Sequence, residues 1–126
     1  MEITEREIDG VSVLVLTGDV DLETSPALRA VLQKRPPGPL VIDFTAVVYI
    51  DSSGLATLIE YYQKVGKALR AAPAPAAAVP AARPAIVLAG LSARVRGAFE
   101  LVRLNEIFPA HDGVADAVRF VLERGE

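Results

Sequence analysis

The residues best suited to chemistry in this chain are four consecutive ones, Asp51, Ser52, Ser53 and Gly54. They end an apolar run and directly precede a stretch whose apolar residues fall three or four apart, the pattern of one buried helix face. We therefore predict that they lie where a buried strand passes into a helix. A helix start presents unpaired backbone N–H groups and a partial positive charge, so it suits hydroxyl caps and bound anions.

Two interpretations of this turn use the serine hydroxyl without modification. In the first, a serine only caps the helix, although neither serine has Glu or Gln three residues later to complete a capping box. In the second, a serine is a nucleophile. The turn lacks the Gly-x-Ser-x-Gly pattern, and His111 is the one histidine that could act as the base. The sequence favours a phosphate-binding P-loop even less, because its glycine and lysine pattern does not occur.

In the third interpretation the turn carries a regulatory phosphate. Phosphate on serine adds about −1.5 to −2 charges at neutral pH, and the N–H groups of a helix start tolerate such a charge. Asp51 beside it would concentrate negative potential on one small patch. A partner that accepts the neutral turn would then meet a repulsive, strongly hydrated surface, which makes a binary switch with little structural change.

The composition excludes several other kinds of site. The 126 residues contain no cysteine and one histidine, so thiolate sites are ruled out and no histidine pair can anchor a metal. The formal net charge of −3 argues against a general nucleic-acid binder, which normally presents a basic face. Together with the missing nucleophile pattern, these facts lead us to expect no catalytic residue, no metal and no cofactor.

The elements predicted to hold the turn alternate between strand and helix. Predicted strands cover residues 3–8, 11–16, 40–44, 85–89 and 106–108, and predicted helix caps are Ser25, Ser92 and Asp112. The link Asp9-Gly10 favours a tight antiparallel hairpin between the first two strands. The order β-β-α-β-α-β-α-β-α predicts an α/β fold: a mixed, mostly parallel sheet of four to five strands with an antiparallel N-terminal edge strand and helices packed on it.

The long helix after the turn has a predicted inner and outer face. The inner residues are Leu55, Leu58, Ile59, Tyr62, Val65 and Leu69. Thr57 falls on the opposite side of the helix, so we expect it to be exposed near the turn.

The segment 71–85 is almost entirely alanine and proline, a composition that favours extended or polyproline-like backbone. We interpret it as a surface loop inserted into a single domain of residues 1–126, because about forty following residues are too few for a second core. Its prolines and weakly hydrophobic alanines do not make a membrane span. Residues 1–7 are too acidic for a signal peptide, so we expect a cytoplasmic protein without direct membrane insertion.

The string at 51–55, Asp-Ser-Ser-Gly-Leu between an apolar strand and a long amphipathic helix, resembles the signature of STAS domains. It is most similar to that of the bacterial anti-sigma factor antagonists. Residues 18–21, Gly-Asp-Val-Asp in the loop after the second strand, resemble the Gly-x-Leu/Val-Asp segment of that family. The order of elements agrees from Ile3 to about Glu123. The resemblance therefore implies one STAS-like domain.

The resemblance also implies a regulatory binding protein without catalysis or a cofactor of its own. In that family the unphosphorylated protein binds an anti-sigma factor that is also a serine kinase, and so frees the sigma factor. The kinase phosphorylates the serine directly after the aspartate, which is Ser52 here, and a phosphatase reverses the change. The family pattern implies these partner-binding residues: Asp21, Asp51, Ser53, Gly54 and Thr57.

Two departures from the family pattern agree with the fold but do not help to choose among the subfamilies of STAS domains. Ala56 stands where many relatives have glycine, and the segment 71–85 is longer than the usual connection. STAS domains also occur in transporters and in stress-signalling assemblies. The alternative function is therefore a transporter or scaffold subunit in which Ser52 is a structural helix cap. A module that binds a nucleotide or a lipid is a third hypothesis.

Overall fold

A computed structural model describes residues 1–35, 38–71 and 86–124, without the side chains of residues 66–71 and 124. The strands are β1 (Glu2–Ile8), β2 (Val11–Thr17), β3 (Leu40–Ala46), β4 (Ile86–Ala89) and β5 (Ala110–His111). The helices are α1 (Ser25–Lys34), α2 (Ser52–Ala71), α3 (Ala93–Leu101) and α4 (Val114–Arg124), with a short 3-10 helix at Leu104–Glu106. The segment predicted at 71–85 begins with the last residue of α2, and its other residues lie outside the described part.

The five strands form one sheet in the order β1-β2-β3-β4-β5. β1 pairs antiparallel with β2 through a two-residue turn in which Asp9 and Gly10 have φ angles of 50° and 82°. These positive angles are what a tight hairpin requires. The other pairs are parallel. The predicted fold class is confirmed: a mixed, mostly parallel sheet with an antiparallel N-terminal edge strand.

The helices cover both faces of the sheet. One apolar cluster joins the sheet to α1, α2 and α3; its largest fully buried members include Leu14, Leu28, Phe44, Leu58 and Phe99. A second cluster joins the other face to α4 through residues such as Val13, Val41, Val87, Ala117 and Val118. Because both faces are covered, the central strands are apolar on both sides. The carboxyl ends of β2, β3 and β4 meet at one edge, where the loops to α1, α2 and α3 begin.

The prediction of a strand at 106–108 is wrong. The chain there forms the 3-10 helix at Leu104–Glu106, and β5 follows as the two-residue strand Ala110–His111. Phe108 points into the core without pairing in the sheet, and it packs edge-on against Phe99 at 6.2 Å between ring centres, whereas Ile107 is 37% exposed. The Phe108 amide donates to the carbonyl of Leu104 at 2.9 Å, so its hydrogen bond is made locally.

Two of the three predicted helix caps are also wrong. Thr24 precedes α1, and the Ser25 hydroxyl donates to the Asp21 carbonyl at 2.6 Å. Gly113, not Asp112, precedes α4. Ser92 does cap α3, because its hydroxyl accepts the Val95 amide at 3.2 Å. Each error has a local cause: the Ser25 hydroxyl donates to the Asp21 carbonyl and does not accept a helix amide, and α4 begins one residue later than predicted, directly after Gly113.

Candidate functional site

The turn before α2 lies against the loop between β2 and α1. The Val20 amide donates to the Tyr49 carbonyl at 2.9 Å, and the Asp51 amide donates to the Val20 carbonyl at 3.0 Å. These bonds make an isolated parallel bridge between Val20 and Ile50, which continues the β2–β3 pairing beyond the strands. The two loops, which hold Asp21 and Asp51, are therefore joined into one surface at the carboxyl edge of the sheet.

Asp51 caps α2 and also holds the neighbouring loop. Its Oδ1 accepts the amides of Ser53 at 2.9 Å and Gly54 at 3.2 Å, which are orphan donors of the first helical turn. Its Oδ2 accepts the amide of Leu22 in the β2–α1 loop at 3.1 Å. The two oxygens of one carboxylate thus fix the start of α2 and the position of Leu22.

Ser52 is the first residue of α2 and is exposed to solvent. Within the part of the chain that the structure describes, its hydroxyl takes part in no hydrogen bond. The hypothesis that Ser52 is a structural cap is therefore wrong, since the carboxylate of Asp51 occupies that role. Ser52 is a free hydroxyl beside the positive end of a helix dipole, an environment that stabilises an added anion. Phosphorylation of Ser52 stays a prediction.

Gly54 is buried and permits the close approach of α2 to the joined loops. A Cβ atom on Gly54 would lie 2.6 Å from Cγ1 of Val20 and 2.8 Å from Cγ1 of Ile50. Real Cβ atoms do not make contacts that short, so a side chain would push the helix start away from the loops. Gly54, predicted to bind a partner, therefore supports the surface from beneath.

Thr57 is not exposed, contrary to the prediction. Only 1% of its surface is accessible, and its hydroxyl donates to the Ser53 carbonyl one turn earlier at 3.0 Å. The prediction failed because the buried face of α2 is turned towards α1: Tyr61 is 2% exposed, whereas Tyr62, predicted to face inward, is 40% exposed. Ser53 is half-buried, so Ser52 is the more accessible hydroxyl of the pair.

Asp21 organises the β2–α1 loop. Its Oδ1 accepts the amides of Glu23 at 3.0 Å and Thr24 at 3.1 Å, which closes the turn before α1. The side chain is half-buried, and these bonds use one of its two carboxylate oxygens. The structure therefore places Asp21 and Asp51 in the two joined loops, where each holds backbone amides of the loops around it, and their role in partner binding stays a prediction.

Sequence reasoning missed three exposed apolar residues in the two joined loops. Leu22 is 73% exposed and Val48 is 64% exposed, while Tyr49 is 38% exposed. The Arg94 guanidinium lies 5.6 Å from the centre of the Tyr49 ring. A usable signal existed for Leu22, a large apolar residue in a loop made mostly of turn-forming polar residues, whereas Val48 and Tyr49 belong to an apolar run that does not mark them as exposed.

His111 is not placed to serve as a base for Ser52. It is the chain's single histidine, and its ring packs on Phe120 of α4 at 4.8 Å. α4 lies on the face of the sheet opposite α2, so His111 is on the wrong side to act on Ser52. Among the residues described, no group of three or more histidines and carboxylates could hold a metal ion. Nor does any described helix have the length and apolarity needed to cross a membrane.

Comparison with known proteins identifies the family of this chain. The family described as "Mlab, STAS domain" matches residues 3–109. The anti-sigma-F factor antagonist RsfB of Mycobacterium tuberculosis is 34% identical over 71 residues, which are 54% of this chain and 58% of that protein. The match thus spans less than two thirds of that relative's length.

Two further relatives match over most of their lengths. The anti-sigma-B factor antagonist of Listeria monocytogenes is 32% identical over 110 residues, 85% of this chain and 83% of the relative. The crystal structure of an anti-sigma factor antagonist from Mycobacterium paratuberculosis superposes with a TM-score of 0.73 at 30% identity, covering 96% of this chain and 93% of the other. By sequence and by fold, the chain belongs to the STAS domain family.

Proposed function

We propose that this chain is an anti-sigma factor antagonist controlled by phosphorylation of Ser52. When Ser52 is unmodified, the surface around it binds an anti-sigma factor that is also a serine kinase. Phosphorylation by that partner ends the binding. The observation that carries the proposal is the exposed, unbonded Ser52 hydroxyl at the start of α2, whose cap is supplied independently by Asp51. The names of the relatives similar to this chain support the same function.

The position of Ser52 suits a switch that changes charge and leaves the fold alone. Because Asp51 already satisfies the first amides of α2, the Ser52 hydroxyl can be modified without uncapping the helix. A phosphate there adds about −1.5 to −2 charges next to the Asp51 carboxylate. A partner that buries this surface would have to desolvate that charge, and an unpaired buried charge costs several kcal/mol. Binding is therefore lost while the domain stays folded.

In this proposal the chain acts as a binding protein and phosphate acceptor, and the kinase supplies the catalysis. The bond between Ser52 Oγ and the γ-phosphorus of ATP forms as the bond from that phosphorus to the ADP oxygen breaks. The hydroxyl proton passes to a base of the kinase. Nothing in the chain needs to activate the hydroxyl, which agrees with the position of the single histidine on Phe120, away from Ser52.

The proposal is tested by titration calorimetry. The probes are the purified anti-sigma factors with a kinase domain that are encoded in the same genome, each tested singly. We expect wild type and Ser52→Ala to bind one of them equally, and Ser52→Asp and the phosphorylated protein to bind at least about 100-fold more weakly. The matched control is Ala115→Asp, which adds the same charge at an exposed position in the first turn of α4 and keeps wild-type affinity.

Two results would contradict the proposal. If no anti-sigma factor bound the wild-type chain, the antagonist function would be wrong. If Ser52→Asp and the phosphorylated protein bound like wild type, the chain would be an antagonist without this switch.

A further inference from the structure

The end of α3 and the turn after it leave apolar side chains in solvent. Leu101 is 85% exposed and Val102 is 52% exposed, and Ile107 in the same turn region is 37% exposed. Leu101 follows the buried Phe99 by two residues, about 200° around the helix, so it points away from the core. Neighbouring apolar side chains left in solvent are typical of contact sites between proteins. This end of α3 is therefore a candidate contact surface.

The backbone of this turn is fixed in an unusual conformation. Arg103 has a φ angle of 63°, in the left-handed region that is unfavourable for a residue with a Cβ atom. The chain turns there, so that Leu104 is 6% exposed while Val102 stays in solvent. The Arg103 amide donates to the Glu100 carbonyl at 3.1 Å. The exposed residues are thus held in position before any partner binds, which lowers the entropy cost of association.

Opposite charges lie on the two sides of the exposed apolar pair. Glu100 precedes Leu101 and Arg103 follows Val102, and all four residues are exposed. Within the part of the chain that the structure describes, neither Glu100 nor Arg103 makes an ion pair. We call residues 100–103 the α3 corner. When two such segments run in opposite directions, glutamate faces arginine and leucine faces valine. The α3 corner is therefore complementary to itself.

We propose that the α3 corner joins two copies of this chain about a twofold axis. Leu101 and Val102 of both copies meet at the axis. Glu100 of each copy pairs with Arg103 of the other, so the same ion pair forms twice. A twofold contact requires a surface that matches itself, which is why a second copy fits this corner. The apolar area is small, so we expect a weak dimer with a dissociation constant between about 10 µM and 1 mM.

This dimer leaves both Ser52 side chains accessible. Because β4 and β5 are parallel, α3 begins at the carboxyl edge of the sheet and ends at the opposite edge. The α3 corner and the start of α2 therefore lie at opposite edges. The inference does not depend on the proposed function, and a dimer of this kind presents two turns of the Ser52 type to separate partners.

The first test truncates the apolar centre of the contact. In sedimentation equilibrium, we expect Leu101→Ala to dimerise at least about tenfold more weakly than wild type, because the lost contact occurs once in each copy. The matched control is Leu22→Ala. Leu22 is 73% exposed in the β2–α1 loop at the carboxyl edge, so its truncation leaves the dimerisation constant unchanged. Both leucines are exposed, and thermal unfolding of the monomer should be unchanged in both variants.

The second test exchanges the charges. Arg103→Glu and Glu100→Arg each place like charges across the axis twice, so we expect either variant alone to dimerise at least about tenfold more weakly. An equal mixture of the two variants restores both attractive pairs and forms a heterodimer with an affinity near that of wild type. The control is Arg6→Glu, an equal charge change at an exposed position of β1, which leaves dimerisation unchanged because a distant charge is screened.

Two results would overturn this inference. A wild-type chain that stays monomeric up to about 1 mM has no second copy on the α3 corner. If that monomer lost thermal stability on Leu101→Ala, a segment of its own chain would cover the corner instead. A wild-type dimer that none of the corner variants weakens forms through another surface. Neither result bears on the antagonist function, since affinity for an anti-sigma factor is measured separately.

Discussion

At the scale of single residues, Asp51 and Ser52 have different roles in the site. The carboxylate of Asp51 accepts two amides of the first turn of α2 and one amide from the next loop. Because these bonds cap the helix, the adjacent Ser52 hydroxyl is not needed for the cap and is exposed to solvent. The hydroxyl can therefore be modified while the Asp51 cap stays unchanged, an arrangement that favours a regulatory role for Ser52.

Gly54 is the residue whose substitution best tests the contact between α2 and the loops. A Cβ on Gly54 would lie 2.6 Å from Val20 and 2.8 Å from Ile50, so we expect Gly54→Ala to lower the free energy of unfolding by about 1–3 kcal/mol through overpacking. Gly97→Ala is the matched control. Gly97 lies within α3, and a Cβ added there would meet no described atom within 4 Å, so the higher helix propensity of alanine should raise stability by about 0.5–1 kcal/mol.

Urea denaturation of the two glycine variants gives the comparison directly. Opposite changes in unfolding free energy in the two variants would distinguish overpacking at Gly54 from helix propensity. Helix propensity alone predicts a gain in stability at both positions. A gain in stability for Gly54→Ala would mean that α2 can shift away from Val20 at little cost. The joined arrangement of the two loops would then be looser than its hydrogen bonds indicate.

At the scale of elements, α1 and α2 are fastened together by side chains that cross between them. Arg29 of α1 makes two bonds to the Glu60 carboxylate, at 3.2 and 3.0 Å. Lys64 of α2 donates to three carbonyls at the end of α1, those of Leu32, Gln33 and Arg35, at 3.2, 3.0 and 3.1 Å. Both helices begin at the edge that holds Ser52, so these contacts also fix the loops from which they start.

Lys64 therefore stabilises α1 from outside the helix. Its ammonium satisfies carbonyls that the last turn leaves unpaired and opposes the negative end of the helix dipole. We expect Lys64→Met, which keeps most of the aliphatic stem, to lower the free energy of unfolding by about 1–2 kcal/mol in urea denaturation. Lys34→Met removes an exposed cation from the last turn of α1 itself and should cost less than about 0.5 kcal/mol. Equal losses of unfolding free energy in the two variants would mean that Lys64 stabilises α1 only through the helix dipole and not through its hydrogen bonds to the carbonyls.

The sequence predicts these elements well where local patterns decide them. The hairpin follows from Asp9-Gly10, and the strand-to-helix turn at 51–54 follows from the change in apolar spacing. The same patterns fail at positions whose burial is decided by tertiary contacts. Thr57 falls on the polar side of α2 by spacing, yet α1 packs over it and it is 1% exposed. The apolar spacing does not distinguish Leu22 from a buried residue. Leu22 is exposed because of the geometry of the β2–α1 loop.

At the scale of the whole molecule, the side chain that would be switched is separate from the buried residues that hold the fold together. The two buried clusters lie above and below the sheet, and Ser52 belongs to neither. The carboxyl edges of parallel strands are where loops can vary without disturbing such a core. A charge placed at this edge can therefore alter recognition while the stability of the domain is preserved.

Ser52→Asp tests this separation. A negative charge at the start of α2 gains about 0.3–1 kcal/mol from the helix dipole, and repulsion from the neighbouring Asp51 carboxylate offsets that gain. We therefore expect the free energy of unfolding, measured in urea, to stay within about 1 kcal/mol of wild type, as for the control Ala115→Asp. A loss above about 2 kcal/mol would mean that the charge disturbs the start of α2. Weak partner binding by Ser52→Asp would then be explained by a disturbed helix start and not by the added charge. Binding by the phosphorylated protein would then be the test of the charge.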